Sequence, residues 1–334
     1  LVAAGRDANL IVENGDLHVT NDVIAQRSFN VRTRKQGNIM LDENVTAVKD
    51  MSMKTETGDI NVGKTITAND GTVSMSTDVK GDIHIGADVA AGHDVNMDIK
   101  SGSVSVDKDV TAGNDVNMAV TAGNISVGSN GTGSVIAENN VKMTVNSGDI
   151  SVEKAVKAKK GSVDVLTEHG SITIGNNKDA DTVSAGQNVD LTAKSGQIRI
   201  LGKTSTESGN ITVTAINETY NGNGKSIIFD ENGKLAAGWD ANLIVENGDL
   251  HITDDVTAGN NFNAQTRKRG NIMLDENIRV QHNISMQTDV GDINVGRDIV
   301  AGNDVKMTVG DGKVTVGEVD GKGNGSGNIS AGGN

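Results

Sequence analysis

The chain has 334 residues, of which 35% are hydrophobic but only 1% aromatic, with no proline, no cysteine and a formal net charge of −14. The lack of cysteine excludes disulfides and thiolate metal sites, and the negative charge argues against nucleic-acid partners, because phosphate binding needs a basic surface. No apolar run approaches the roughly 20 residues that a membrane-spanning helix needs, so we expect no membrane span.

Apolar and polar residues alternate in short runs along the chain, and most runs recur after 21 or 22 residues. Strict alternation indicates strands, and the Gly, Asn and Asp between the runs indicate turns. A fixed period of this size is typical of one supersecondary unit stacked many times. In chain order, the first inward residues of the units are Ala8, Phe29, Met51, Val73, Val95, Val116, Val141, Val163, Val189, Ala241, Phe262, Ile284 and Val305.

We therefore predict an all-β fold, a parallel β-helix (β-solenoid) with three short strands per coil, about 21–22 residues per coil and roughly 14–15 coils. At roughly 4.8 Å per coil, such a stack would be about 70 Å long. The absence of proline fits this fold, because proline cannot donate to a ladder that is paired on both edges. A narrow interior of Val, Ile, Met and Ala explains the scarcity of aromatic residues.

Three places interrupt the register. Extra residues occur at 129–133 and 176–179, both at predicted corners, since a strand cannot gain one residue without reversing its faces. Between Leu201 and Leu235 the pattern is unclear. We therefore divide the chain into a solenoid over residues 1–200, an irregular junction over 201–238 and a second solenoid over 239–334.

A longer repeat is superimposed on the short one. Residues 3–63 match residues 236–296 at a constant offset of 233, and Ala8–His18 recurs unchanged as Ala241–His251. The offset is close to eleven coils, so we infer a block duplication that keeps the stack in phase.

Two columns of residues are candidates for metal ligands. A column of methionines could bind a soft metal, but methionine also fills irregular space in a narrow core, which is the interpretation we favour; its members are Met53, Met75, Met97, Met118, Met143, Met286 and Met307. A column of glycines, each usually followed by Asp, Asn or Ser, indicates corners with positive φ. Asp and Asn stacked at such corners could bind Ca²⁺, or they could hydrogen-bond to each other, which we favour; we predict no cofactor. The glycines are Gly15, Gly37, Gly58, Gly81, Gly102, Gly123, Gly148, Gly170, Gly196, Gly248, Gly270, Gly291 and Gly312.

The irregular stretch is the candidate ligand site. It carries Tyr220 and Phe229, and Trp239 lies just beyond it. The alternative is a bulged coil that joins the two duplicated blocks, which we favour. No acid/base or metal constellation is evident, so we predict no catalytic residue, no metal site and no enzymatic activity.

Units such as Ala112–Met118 and Gly123–Val127 resemble the shaft repeats of large bacterial filamentous adhesins, the filamentous-haemagglutinin-like and leukotoxin-type family. The resemblance covers nearly the whole chain and implies a right-handed parallel β-helix that is secreted and projects adhesive elements from the cell. We therefore expect a non-enzymatic structural shaft on the bacterial cell surface that mediates adhesion, cell–cell contact or biofilm contact. The alternative is a carbohydrate-binding or carbohydrate-active β-helix that uses 201–238.

The expected partners are further solenoid coils at both ends, in one long chain or in head-to-tail copies. The pattern is already running near Leu1 and reaches Asn334 without an amphipathic cap, and uncapped coils expose pairing edges. A receptor on a host or neighbouring cell is also expected, but the sequence does not identify it.

Overall fold

The computed structural model describes residues 2–129, 131–176, 181–217, 224–230, 232–317 and 327–334. The chain forms two compact units, Leu1–Lys159 and Lys160–Asn334. Each unit is a β-solenoid in which successive strands go in turn to three parallel sheets, A, B and C, and none of the described residues is helical.

The first unit contains, in chain order, β1 (Val2–Ala4), β2 (Ala8–Val12), β3 (Leu17–Val19), β4 (Val23–Ala25), β5 (Phe29–Gln36), β6 (Ile39–Leu41), β7 (Val45–Ala47), β8 (Met51–Thr57), β9 (Ile60–Val62), β10 (Ile66–Ala68), β11 (Val73–Lys80), β12 (Ile83–Ile85), β13 (Val89–Ala91), β14 (Val95–Ser101), β15 (Val104–Val106), β16 (Val110–Ala112), β17 (Val116–Ala122), β18 (Ile125–Val127), β19 (Val135–Ala137), β20 (Val141–Ser147), β21 (Ile150–Val152) and β22 (Val156–Ala158). Sheet A of this unit begins at β1, sheet B at β2 and sheet C at β3, and each sheet takes every third strand.

The second unit contains β23 (Val163–His169), β24 (Ile172–Ile174), β25 (Asp181–Ala185), β26 (Val189–Ala193), β27 (Ile198–Leu201), β28 (Lys203–Thr206), β29 (Ile211–Ala215), β30 (Lys225–Asp230), β31 (Leu235–Ala237), β32 (Ala241–Asn247), β33 (Asp249–Ile252), β34 (Val256–Ala258), β35 (Phe262–Arg269), β36 (Ile272–Leu274), β37 (Ile278–Val280), β38 (Ile284–Val290), β39 (Ile293–Val295), β40 (Ile299–Ala301), β41 (Val305–Asp311), β42 (Val314–Val316) and β43 (Ile329–Ala331). Here sheet B begins at β23, sheet C at β24 and sheet A at β25.

The predicted fold class is confirmed, with about 14 coils. In the first unit, the predicted inward residues pair in register from Ala8 to Val141. In the second, they pair from Val163 to Val305, and Ile211 fills the place that the sequence pattern left open. Right-handedness stays a prediction.

The core of each unit is made of the inward columns. Val, Ile and Ala dominate it, the three phenylalanines are fully buried, and the methionines of sheet B stack in register inside it. The methionine column is therefore core packing in the structure, as the sequence predicted.

The corners are held by side chains that reach the next coil. Asp82 Oδ1 accepts the Ser103 backbone N–H at 2.7 Å, Ser103 Oγ accepts that of Asn124 at 3.0 Å, and Asn124 Oδ1 accepts that of Asp149 at 2.8 Å. Equivalent bonds precede strands of sheets A and B. Asn–Asn side-chain bonds occur on the face of sheet B, as between Asn117 and Asn96 at 3.0 Å. The predicted bonding between side chains is thus only part of the network, and much of it runs from side chain to backbone.

The glycines that precede sheet C adopt the predicted positive φ, except Gly170 and Gly196. The insertion at 129–133 lies between β18 and β19, as predicted for a corner, and most of the insertion at 176–179 lies outside the described residues. Within the predicted junction 201–238, β28–β31 pair in register with strands of adjoining coils. The structure therefore gives regular strands to the described part of this stretch, and the domain boundaries at 200 and 238 stay predictions.

Candidate functional site

Of the three corners of the coil, the two copies of the duplicated block differ most at the loops that lead from sheet A to sheet B. These loops are residues 5–7, 26–28 and 48–50 in the first copy, and 238–240, 259–261 and 281–283 in the second; seven of the nine positions differ. The loops that lead to sheet C, at 13–16, 37–38 and 58–59, are identical to the residues 233 positions later, and those at 20–22 and 42–44 differ only at Asn21. The duplicated turns therefore share two corners almost unchanged but present a different A-to-B corner.

A column of three residues carries the sharpest change at this corner. The first copy has the cations Arg6, Arg27 and Lys49, whereas the second copy has Trp239, Asn260 and His282. Backbone bonds stack the second set on consecutive coils, since the Asn260 N–H donates to the Trp239 carbonyl at 3.0 Å and the His282 N–H donates to the Asn260 carbonyl at 2.9 Å. We call Trp239, Asn260 and His282 the Trp corner.

Hydrogen bonds orient the middle residue of the Trp corner. Asn260 Nδ2 donates to Asp240 Oδ1 at 2.7 Å, and Asn260 Oδ1 contacts His282 Nδ1. The Asp240 carboxylate also accepts the Asn261 backbone N–H at 3.0 Å. Trp239 is 58% exposed.

A groove of about 380 Å³ lies beside the Trp corner. It is lined by Ala237, Thr257, Ala258, Gly259, Arg279, Val280, Gln281 and Val300, and Trp239 follows two residues after the first of these. Gly259, which lines the groove, leaves no room for a side chain, because a Cβ there would lie 2.1 Å from the Gly238 carbonyl oxygen. The groove therefore combines an apolar floor with exposed polar groups. The exposed indole of Trp239 is close to it in sequence.

The guanidinium of Arg279 is half exposed and lies 3.9 Å from Asp255 Oδ1, a distance that leaves other donors free for a ligand. Partial burial of Asp255 raises the pKa of its carboxyl, but the side-chain and backbone hydrogen bonds from Asn277, with Lys234 and Arg279 nearby, outweigh it and hold the pKa below its usual value. Asp255 is therefore an anion beneath the groove, and Arg279 balances its charge.

Of the two predicted contact residues within the described ranges, Trp239 is exposed and Phe229 is not. Phe229 is fully buried in sheet C, where it pairs with Ile200 and Ile252, so its side chain fills the core. Tyr220 lies outside the described residues. Ligand contact by Tyr220, Phe229 and Trp239 together therefore stays a prediction. Sequence reasoning missed Asn260, His282 and Arg279, and the signal that could have found them was the difference between the two block copies.

A second concavity, of about 340 Å³, lies on the outer face of sheet B in the first unit. Its walls are two outward columns of small polar side chains, and no aromatic residue lines it. The lining residues are Ser52, Met53, Ser74, Met75, Ser76, Asn96, Met97, Asp98, Asn117, Met118, Ala119, Lys142 and Thr144.

No group of three or more His, Cys, Asp and Glu side chains in the described ranges is placed to hold a metal ion; the absence of a cofactor, with Ca²⁺ as the alternative, stays a prediction. The His18–Asp42 pair, with 2.9 Å between Nε2 and Oδ2, recurs in the second copy as His251–Asp275 at the same distance. No helix in these ranges is long and apolar enough to cross a bilayer.

Comparison with known proteins gives no family for this chain: no family model, no curated protein and no solved structure matches it.

Proposed function

We propose that the chain is a non-enzymatic structural shaft of an extracellular bacterial filamentous adhesin or surface filament, and that it mediates adhesion, cell–cell contact or biofilm contact. The observation that carries this proposal is repetition: inside each unit, coil after coil pairs in register in all three sheets. Each coil buries its apolar residues against its neighbours, so length is gained at constant cross-section. The resemblance of the repeats to filamentous-adhesin shafts supports the surface location.

The proposed partners are further coils of the same repeat. The outermost strands are unpaired along one edge in the described part of the chain, and their inward residues are partly exposed, as at Val314 (43%) and Ile329 (52%). Added coils would satisfy these backbone groups and cover the apolar side chains. We favour coils of the same polypeptide over non-covalent stacking, and the receptor at the cell contact is unidentified.

Immunoelectron microscopy of the source cells tests the location. Antibodies raised against the purified chain should label filaments outside the cell, and label confined to the cytoplasm would overturn the proposal. The mass of purified filaments under denaturing conditions tests continuity, because a single band near 34.5 kDa would reject the version with one giant chain.

A second candidate function is a carbohydrate-binding or carbohydrate-active β-helix. The exposed Trp239 beside a groove favours it, although the supporting residues lie mostly beyond 201–238. A glycan array combined with a reducing-sugar assay separates the two candidates. Turnover of any polysaccharide that disappears on changing Trp239 would reject the non-enzymatic shaft.

A further inference from the structure

We infer that the Trp corner and the adjoining groove of the second unit form a binding site for a neutral glycan, which is bound and not cleaved. This deepens the carbohydrate-binding candidate and rests on it, but it places the site on the coils between Ala237 and Val300. The shaft role does not depend on it, because the same fold is built in the first copy with different residues at this corner.

The fold does not require a tryptophan at position 239. The same corner position is occupied by a polar or charged side chain in other coils, including Arg6, Arg27, His93 and Asn114. At all of these coils the backbone makes the same ladder bonds, so the side chain is free to vary. The indole is 58% exposed, so most of this large amphipathic ring is available for a contact outside the chain.

The chemistry around the indole suits a pyranose. One face of a pyranose carries C–H groups that pack on an aromatic ring, while the hydroxyls at its rim need planar donors and acceptors. Asn260 and His282 follow the indole on the next two coils, and Arg279, Gln281 and Thr257 border the groove. A few convergent polar groups over an apolar floor are the usual composition of a small-ligand site.

Charge favours a neutral glycan over an acidic one. The whole chain carries −14, and the partly exposed carboxylates of Asp240 and Asp255 lie near the site. The block copy in the first unit has three cations where the second unit has the Trp corner, so an anion-binding corner would be expected on the first unit instead. Repulsion from the net charge disfavours uronic-acid polymers at the Trp corner.

The two copies provide matched variants that are expected to fold. Trp239→Arg, Arg279→Thr and Gln281→Val each install the residue that the first copy carries at the equivalent position, on the same backbone. Because the chain has a single tryptophan, its fluorescence reports on this site alone. The double variant Arg6→Trp, Trp239→Arg moves the only indole to the equivalent corner of the first unit.

The experiment uses the full 334-residue chain. An array of neutral gluco-, manno-, galacto-, xylo- and N-acetylhexosamine oligosaccharides identifies a binder, which is then titrated by tryptophan fluorescence and by calorimetry. We expect a saturable fluorescence change in the wild type, about tenfold or more weaker binding by calorimetry for Trp239→Arg, and a smaller loss for Arg279→Thr and Gln281→Val. The transposed tryptophan should show no saturable change.

Several results would overturn the site. The site is contradicted if no neutral glycan binds, or if oligogalacturonate is the sole binder. It is also contradicted if the transposed tryptophan gives an equal fluorescence response, or if Trp239→Arg abolishes self-association and leaves glycan binding unchanged. Glycan binding that survives Trp239→Arg would place the carbohydrate function elsewhere on the chain and leave that function standing. Release of reducing sugar from the bound glycan would reject binding without cleavage.

Discussion

Within most strands of this solenoid, inward side chains are buried in the core and outward side chains face the solvent. Ile150 is the first residue of β21 and His84 is the middle residue of β12, both in sheet C; Ile150 is fully buried, whereas His84 faces outward and is half-buried. The alternation follows from the pleat, which sends successive side chains to opposite faces of a strand.

We expect Ile150→Asp to lower the free energy of unfolding by several kcal/mol, because it places an unpaired charge in a dry core. His84→Ala, the outward control, should stay within about 0.5 kcal/mol of the wild type. Denaturant unfolding measures both. Similar losses from the two variants would show that the facing of sheet C is misassigned.

A pH effect is expected at Asp255. Its folded pKa is lowered, so it contributes stability above the pKa of the unfolded chain, near 3.9, and loses that contribution as the pH falls through the folded pKa. Asp255→Asn keeps an Oδ1 acceptor for the Asn277 N–H but carries no charge. We expect the variant to be less stable than the wild type at neutral pH and the gap to close in acid, measured by denaturant unfolding at several pH values. A gap that does not change with pH would contradict this.

At the scale of the element, many strands are preceded by a polar residue whose side chain bonds to the next coil. Asn124 illustrates this, since its Oδ1 accepts the Asp149 backbone N–H at 2.8 Å while its own N–H donates to Ser103. These bonds explain why Asp, Asn, Ser and Thr alternate freely at this position, because any short side chain with an oxygen can accept.

Asn124→Ala should cost about 1 kcal/mol and leave the Asp149 amide without its acceptor. Asn124→Asp, which keeps an oxygen at the same place, should cost less. Hydrogen exchange at the Asp149 amide is the measurement, and it should quicken in the alanine variant only. Unchanged protection in Asn124→Ala would show that the backbone alone holds the corner.

The glycine at the same corner has a separate role. Gly123 has a φ of 139°, and a Cβ there would lie 1.9 Å from the Gly102 carbonyl oxygen. We expect Gly123→Ala to cost about 1–3 kcal/mol from the backbone conformation alone, with the clash in addition. Gly5→Ala is the control, because Gly5 has open space within 4 Å, and it should be neutral or stabilising by up to about 1 kcal/mol. Thermal unfolding measures the stability of both variants, and equal losses of stability would contradict the steric explanation.

For the whole molecule, the sequence was sufficient for the fold but only partly for the candidate site. The alternation around Val95 and Val116 predicts inward columns directly, because a strand has only two faces. Ile211 was missed because the next inward residue of its column, Ala241, follows only after 30 positions, which displaces the repeat in sequence although the strands still pair in register. The grouping of Trp239 with His282 was also missed, since residues 43 positions apart meet only when coils stack.

The last prediction concerns association through the exposed edge. Strand β43 pairs only with β40 in the described part of the chain, and its inward residue Ile329 is 52% exposed. An apolar residue on an unpaired edge invites pairing with another chain, and a lysine there opposes it. We therefore expect the purified chain to associate reversibly, and Ile329→Lys to weaken that association. Ser330→Lys is the matched control, because it adds the same charge on the same strand at an outward, exposed position and should have little effect. Sedimentation velocity over a range of concentrations measures the difference. A wild-type chain that stays monomeric at every concentration, or equal effects of the two lysines, would show that this edge does not recruit a partner.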